Sequence, residues 1–286
     1  MAATLQDILQ SHRTGRAAVV GILNVTPDSF SDGGQFLSPP QAVARARQMV
    51  AEGADVIDVG AESSRPGSDR VTAAEQIERL REILPVLAGL GVVVSIDTSI
   101  AEVAAFALDR GAGMINDISA GRDDQEMFAL VAARGGAMVL MHMAGQPKTM
   151  QDDPRYDDVA AEVREFLAER MAAAVAAGVR QDRLILDPGI GFGKRTEHNL
   201  ELLARVGRLC ELGRPVMVGA SRKRFIGQLT GQDLARSRLG GSIAACLAAW
   251  RRGATVFRVH DVEDTVAALK VAAAVENADK PGAGQP

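Results

Sequence analysis

The sequence predicts a single (β/α)8 barrel of the α/β class, with its active site at the C-terminal ends of the strands. Three observations carry that prediction. Eight short, nearly continuous apolar runs recur along the chain, an Ala-rich stretch of helical period follows each, and polar residues gather just past the runs rather than before them. The runs fall at 18–23, 55–59, 92–96, 114–116, 137–141, 183–186, 215–218 and 255–259. A parallel strand covered on both faces reads in this way. Helical patterns occupy 39–52, 72–88, 99–110, 123–134, 156–177, 197–211, 233–252 and 262–275. Gly53, Gly89, Gly111, Gly135, Gly178 and Gly253 each stand just past a last apolar position, as helix stops do. Strand then helix, repeated, requires parallel pairing with right-handed crossovers. An open doubly wound sheet would want a Gly-rich turn after its first strand, and Gly21-Ile22-Leu23-Asn24 supplies no G-x-G-x-x-G. Residues 1–16 read as an N-terminal leader segment, 17–276 as the barrel, and the Pro/Gly-rich 277–286 as a flexible tail.

Composition narrows the function. A length of 286 residues with 47% hydrophobic content suits one barrel with a sizeable core. Lys+Arg at 32 against Asp+Glu at 36 gives −4, and aromatics reach only 3%, so there is neither the field nor the stacking surface that nucleic acid needs. Cys210 and Cys246 are too few for a disulfide framework and read as buried thiols in a reducing compartment. No apolar run approaches the ~18 residues of a membrane span. Residues 1–16 lack the apolar centre of a secretory signal, so a cytoplasmic protein is expected, with no nucleic-acid or membrane partner.

The residues just past each run form a one-sided polar set. They are Asn24, Glu62-Ser63-Ser64-Arg65, Asp97, Asn116-Asp117, His142, Asp187, Ser221-Arg222-Lys223, and Arg258 with His260. Loops 25–34, 61–68 and 187–194 are rich in Gly, Pro and Ser, as binding loops and lids are. The last resembles a phosphate loop only superficially, since Pro188 and Arg195 stand where a Walker A needs Gly and Ser or Thr. Four histidines with no H-E-x-x-H or His/Cys cluster argue against a protein-caged zinc. A carboxamide such as Asn24, together with substrate phosphates, suits Mg2+ instead.

These motifs converge. Gly21 to Gly34, Ser63-Ser64-Arg65-Pro66-Gly67, Ser95-Ile96-Asp97-Thr98, Ile115-Asn116-Asp117-Ile118-Ser119 and Leu140-Met141-His142-Met143 resemble those of the dihydropteroate synthases. So do 186–194, Ser221-Arg222-Lys223 and Arg258-Val259-His260-Asp261; the resemblance spans about 17–275 in order, one motif per strand end. It implies a TIM barrel that condenses 6-hydroxymethyl-7,8-dihydropterin diphosphate with p-aminobenzoate, releasing pyrophosphate in folate synthesis. Mg2+ dependence, a homodimer and inhibition by sulfonamides are implied as well.

On that resemblance each residue acquires a role. A pterin's 2-amino and N3–H donors match a carboxylate bidentately, as a guanidinium does. Asp187 is the candidate for that edge, with Asp97 and Asn116 on the other ring groups. Lys223 donates to the ring carbonyl, and Arg258 lies flat against the pterin. Asn24, Arg65, Arg258 and His260 cradle the diphosphate, Asn24 holding Mg2+. Asp97, Lys223, Arg258 and His260 form the catalytic set. Phe30, Ser64, Pro66, Phe192, Ser221 and Lys223 line the p-aminobenzoate site. Ser64 replaces a more usual Thr and Arg224 a frequent Ser, which bears on sulfonamide contact. His142 reads equally as support for the site or as packing, and Asp117 is free to take the turn beside Asn116. Helical stretches 242–250 and 266–275 are apolar around much of their circumference, consistent with a subunit contact. Two alternatives stand beside the synthase: a methyltetrahydrofolate-dependent methyltransferase of the same barrel family, and a catalytically silent pterin-binding paralogue.

Overall fold

A computed structural model describes residues 3–26, 38–62, 70–145 and 149–278. Strands β1 (Ala18–Asn24), β2 (Val56–Gly60), β3 (Val93–Asp97), β4 (Met114–Asp117), β5 (Ala137–Met141), β6 (Leu184–Asp187), β7 (Met217–Val218) and β8 (Val256–Val259) follow the eight predicted runs. They pair in parallel in the order β6-β5-β4-β3-β2-β1-β8-β7. A single bridge from Leu186 to Val216 joins the two ends of that order and closes the barrel.

The two-residue period of a strand sorts the barrel wall. Outward residues such as Val19, Leu23, Ile57, Ile96, Ile115, Leu186 and Phe257 pack beneath the surrounding helices. Inward residues change character along the axis. Near the strand starts, Ala18, Val20, Val56, Met114, Ala137, Ile185 and Val256 form an apolar plug. Two or four residues further along the same inward rows come Asn24, Asp58, Asp97, Asn116, Asp187 and Arg258. The apolar layer closes the barrel floor, and the polar layer above it becomes the site.

The helices depart from the sequence pattern at identifiable points. The stretch predicted as one helix over 72–88 is two, Ala73–Arg81 and Leu84–Ala88, because Pro85 has no N–H to continue the first ladder. The 197–211 stretch breaks into Thr196–Ala204 and Gly207–Cys210. Helix Arg224–Thr230, absent from the sequence reading, follows β7, and 233–252 resolves into a short 3-10 turn and then Leu239–Trp250. Five of the six glycine stops take the left-handed φ of a helix end, whereas Gly89 stays helical at −82° and Gly91 makes the turn at 71°. Asn277 and Ala278, placed in the tail by the sequence, complete the last helix, Val262–Ala278.

The leader stretch is structured where described. Helices Leu5–Leu9 and Ser11–Thr14 drive Ile8 and Leu9 into the barrel floor, behind a Thr4–Asp7 capping box. Asp55, at the foot of β2, ties this plug down. It accepts the amides of Ala3 (3.0 Å) and Val19 (2.9 Å) and pairs with Arg16 (2.9 Å). Arg16 is half exposed and contributes little; the two buried amides carry the interaction. Asp55→Ala orphans both, and a stability loss of about 2–6 kcal/mol is expected by urea unfolding, at about 1–3 kcal/mol per stranded donor. An unchanged unfolding midpoint would contradict the assignment.

Candidate active site

The inward polar layer is organised around one guanidinium. Arg258 Nε donates to Asp58 Oδ2 at 2.7 Å and its NH2 group to Asp97 Oδ2 at 2.9 Å, while Asn116 Nδ2 donates to the same Asp58 oxygen at 3.1 Å. Asp58 is only 1% exposed. Burial works against the charge on Arg258, but Asp58 and Asp97 outweigh it and hold the guanidinium more firmly protonated than usual. Asp97 behaves oppositely. Burial, reinforced by Asp58, Asp117 and Glu62, pushes its carboxyl up to about 7 despite Arg258. Burial likewise raises Asp187 to about 6, against the Gly189 amide and the charges of Lys223, Arg258 and Lys194. Lys223 falls to about 8 through burial and the nearby Arg258 charge.

These groups face one cavity that opens at the mouth of the barrel. Asp97, Asn116, Asp187, Lys223 and Arg258, all five predicted pterin residues, line it together. The rest of the wall is apolar: Ile118, Met141 and Phe192 belong to a small cluster with Met143 and Met150. An apolar wall opposite convergent donors and acceptors is what a flat, polar-edged heterocycle requires. The Phe192 ring lies 4.0 Å from Lys223 Nζ.

The loop after β6 sets Asp187. Its Oδ1 accepts the Gly189 amide at 2.6 Å. Gly189 adopts a φ of +66°, and a Cβ there would stand 1.9 Å from the His142 carbonyl oxygen, so only glycine passes. His142 lies behind this loop, packed edge-on against Phe166, with its Nδ1 2.9 Å from Lys194 Nζ, and does not line the cavity. Asp117 takes the turn beside Asn116, accepting from the Ser119 amide and hydroxyl and the Gly121 amide, each at 2.7 Å.

At the rim, Ser221 Oγ and His260 Nδ1 meet at 3.0 Å, and the His260 amide donates to Ser221 Oγ at 3.2 Å. Residues assigned to separate subsites by sequence are therefore bonded to each other. Between Ser221 and Lys223, Arg222 holds a left-handed φ of 59°, fixed by its ion pair with Asp261 (2.5 Å) and by Ser242 Oγ on its amide (2.9 Å). Asn24, Gly60, Asp97 and Asn116 share one rung across β1–β4. A Cβ at position 60 would come within 3.2 Å of Asn24 Oδ1, so glycine leaves that oxygen uncovered. Among the described residues no three His, Cys, Asp or Glu side chains are grouped to cage a metal. One uncovered carboxamide oxygen beside substrate phosphates fits Mg2+, which keeps several waters. Phe30, Ser64, Arg65 and Pro66 lie outside the described residues.

Sequence reasoning missed two residues that the geometry makes central. Asp58 was hidden inside an apolar run, although a lone carboxylate two positions before an inward glycine is a readable signal. Lys194 stood in the 187–194 loop and in the 186–194 motif without a role of its own. It is 3% exposed, and burial lowers its ammonium to about 7.

Residues 20–260 match the pterin binding enzyme family. The chain is 46% identical over 263 residues to the dihydropteroate synthase of Escherichia coli, covering 91% of this chain and 92% of that one. Xanthomonas albilineans dihydropteroate synthase, solved with 4-aminobenzoic acid, superposes with a TM-score of 0.85 at 49% identity, covering 91% of this chain and 93% of that chain. The Yersinia pestis dihydropteroate synthase, solved with a sulfonamide drug complex, gives 0.88 at 42% identity, covering 91% and 94%. Family, fold and site geometry agree, and the chain belongs to the pterin binding enzymes, among the dihydropteroate synthases.

Proposed function

We infer that this chain condenses 6-hydroxymethyl-7,8-dihydropterin diphosphate with p-aminobenzoate, by early loss of diphosphate followed by attack of the arylamine. The observation that carries the reading is the convergence of Asp97, Asn116, Asp187, Lys223 and Arg258 on one cavity. Asp187 accepts the pterin's 2-amino and N3–H donors; a carboxylate oxygen has two lone pairs, so Oδ1 keeps its Gly189 bond while doing so. Asp97 and Asn116 read the remaining ring groups. Lys223 donates to the ring carbonyl, and Arg258, its edge held by Asp58 and Asp97, offers a flat face to the ring.

The C–O bond of the pterin methylene breaks and its electron pair leaves with pyrophosphate. Arg65, Arg258 and His260 receive that charge, together with the amino end of helix Val262–Ala278, which begins two residues after His260. Asn24 would hold Mg2+, which neutralises phosphate charge when bound. The carboxylates, Asp97 above all, stabilise the cation left on the methylene. The arylamine nitrogen then bonds to that carbon and sheds a proton; no enzyme nucleophile is needed. Phe30, Ser64, Pro66, Phe192, Ser221 and Lys223 form its subsite. Ser64 keeps the hydroxyl of the more usual Thr, and sulfonamides are expected to occupy the same place.

A methyltransferase reading leaves Asn24 and His260 without a task, and a silent paralogue has no need of the full rim set. We also propose a homodimer: Val271 and Val275, one helical turn apart on the last helix, are more than half exposed. A cytoplasmic location is supported by two free thiols, Cys210 and Cys246. Among the described residues no helix is long and apolar enough to cross a membrane.

Pyrophosphate release from dihydropterin diphosphate and Mg2+, with and without p-aminobenzoate, tests the function directly. Release that depends on the arylamine in the wild type and is lost in Asp187→Ala is the expected result. Tight pterin binding with no release would indicate a silent paralogue, and neither binding nor release would sink the reading. The pH profile follows from the same groups. Asp187 and Asp97 accept pterin donors only when ionised, so kcat/KM should fall as pH drops through about 7 and 6. Lys223 donates only when protonated, so kcat/KM should also fall as pH rises through about 8. Lys223→Arg should remove the part of that fall that Lys223 sets near pH 8, because a guanidinium does not titrate there, and leave the part set by the Lys194 ammonium, which burial lowers to about 7; a flat wild-type profile would contradict these roles.

A further inference from the structure

We propose that Lys194 is a positioning residue for the second substrate, its ammonium clamping the loop after β6 onto the end of β5 and so holding Phe192 against Lys223. The inference rests on the reading above, in which Phe192 and Lys223 form a wall of the p-aminobenzoate subsite. Lys194 does not line the cavity. Its Nζ lies 2.9 Å from His142 Nδ1, 3.0 Å from the Phe192 carbonyl and 3.4 Å from the His142 carbonyl. One cation thus ties the backbone of the residue that forms the wall to the strand end behind it.

The chemistry of His142 fits that clamp. Burial foremost, with the charges of Lys194 and Arg122, drives its imidazole down to about 2, so the ring is neutral and Nδ1 accepts with the proton on Nε2. The two segments also touch closely. A Cβ at Gly193 would stand 2.7 Å from the Ala144 carbonyl oxygen. Tyr156 OH donates to the Gly193 carbonyl and Gln151 Nε2 to the Gly191 carbonyl, both at 2.8 Å, while the Gly191 amide donates to Asn199 Oδ1 at 2.7 Å. Those neutral bonds hold the flanks of the loop; Lys194 brings charge to the carbonyl of Phe192 itself. A buried ammonium is costly, and a methionine of similar volume would fill the space without that cost, so mere packing does not account for it. Its field reaches Asp187, but less strongly than the Gly189 amide, Lys223 and Arg258, so it contributes less than they do to keeping that carboxylate ionised.

The test separates the two substrates. In Lys194→Met, KM for p-aminobenzoate should rise roughly tenfold or more, as loss of a charge-assisted hydrogen bond at a binding wall predicts. Affinity for dihydropterin diphosphate, titrated by pterin fluorescence, should fall by a smaller factor, because Phe192 is one side of the pterin cavity while Asp97, Asn116, Asp187 and Arg258 are held by bonds that do not involve Lys194. His142→Phe keeps the packing on Phe166 but removes the acceptor, and should raise the same KM; His142→Asn places an oxygen where Nδ1 stood and should restore it towards wild type. The histidine pair also carries the test if Lys194→Met does not fold. An unchanged KM for p-aminobenzoate in Lys194→Met, or equal values for His142→Phe and His142→Asn, would overturn the inference while wild-type release leaves the function standing. No arylamine-dependent release by the wild type would overturn the function and the inference with it.

Discussion

One guanidinium organises the working end of this barrel. Arg258 lies between Asp58 and Asp97, and Asn116 is oriented by the same Asp58 oxygen, so three of the five polar side chains predicted by sequence to line the cavity answer to one buried ion cluster. Charges removed from water are tolerated only when paired and hydrogen-bonded, which makes their geometry hard to deform. That stiffness is useful where a flat ligand must be met by several groups at once. Two buried polar atoms, Asp58 Oδ1 and Ser95 Oγ, have no hydrogen-bond partner, and they stand opposite each other on β2 and β3 just below the cluster.

The architecture supplies this cluster from strands far apart in sequence. Asp58, Asp97, Asn116, Asp187 and Arg258 come from β2, β3, β4, β6 and β8, and closure of the sheet brings them to one mouth. The apolar floor beneath, sealed by Ile8 and Leu9, keeps water from the underside of the charged layer. The loops after β6 and β7 then add what the strands cannot. Gly189 and Lys194 fasten the first, and Arg222 with Asp261 fastens the second, so that Asp187, Phe192, Ser221 and Lys223 stand on supported backbone.

Most of the fold was legible in the sequence because parallel strands covered on both faces leave an unbroken apolar signature, and all eight did. The cavity-lining set was legible in Asp97, Asn116 and Asp187, which sit at or just past the end of a run, where a polar residue breaks the apolar pattern. Asp58 was not, because it lies within a run and only the inward phase of β2, set by Val56 and Gly60, marks it as facing the interior. Lys194 escaped for a different reason: its partners, His142 and the Phe192 carbonyl, are joined to it by folding, and no local pattern announces a buried ammonium. The break at Pro85 was readable from the residue itself, whereas the helix at Arg224–Thr230 was obscured by the basic run that opens it.

The affinity of Asp58→Asn for dihydropterin diphosphate tests the central claim most directly, since Asp58 lies below the ligand and acts only through Arg258 and Asn116. Arg258 keeps Asp97 as a partner in this variant, so the fold should persist, which thermal unfolding checks. A loss of at least about tenfold, or about 1.4 kcal/mol, at an intact fold is the predicted result. Wild-type affinity in that variant would contradict the account, by showing that the buried ion cluster does not set the geometry of the site.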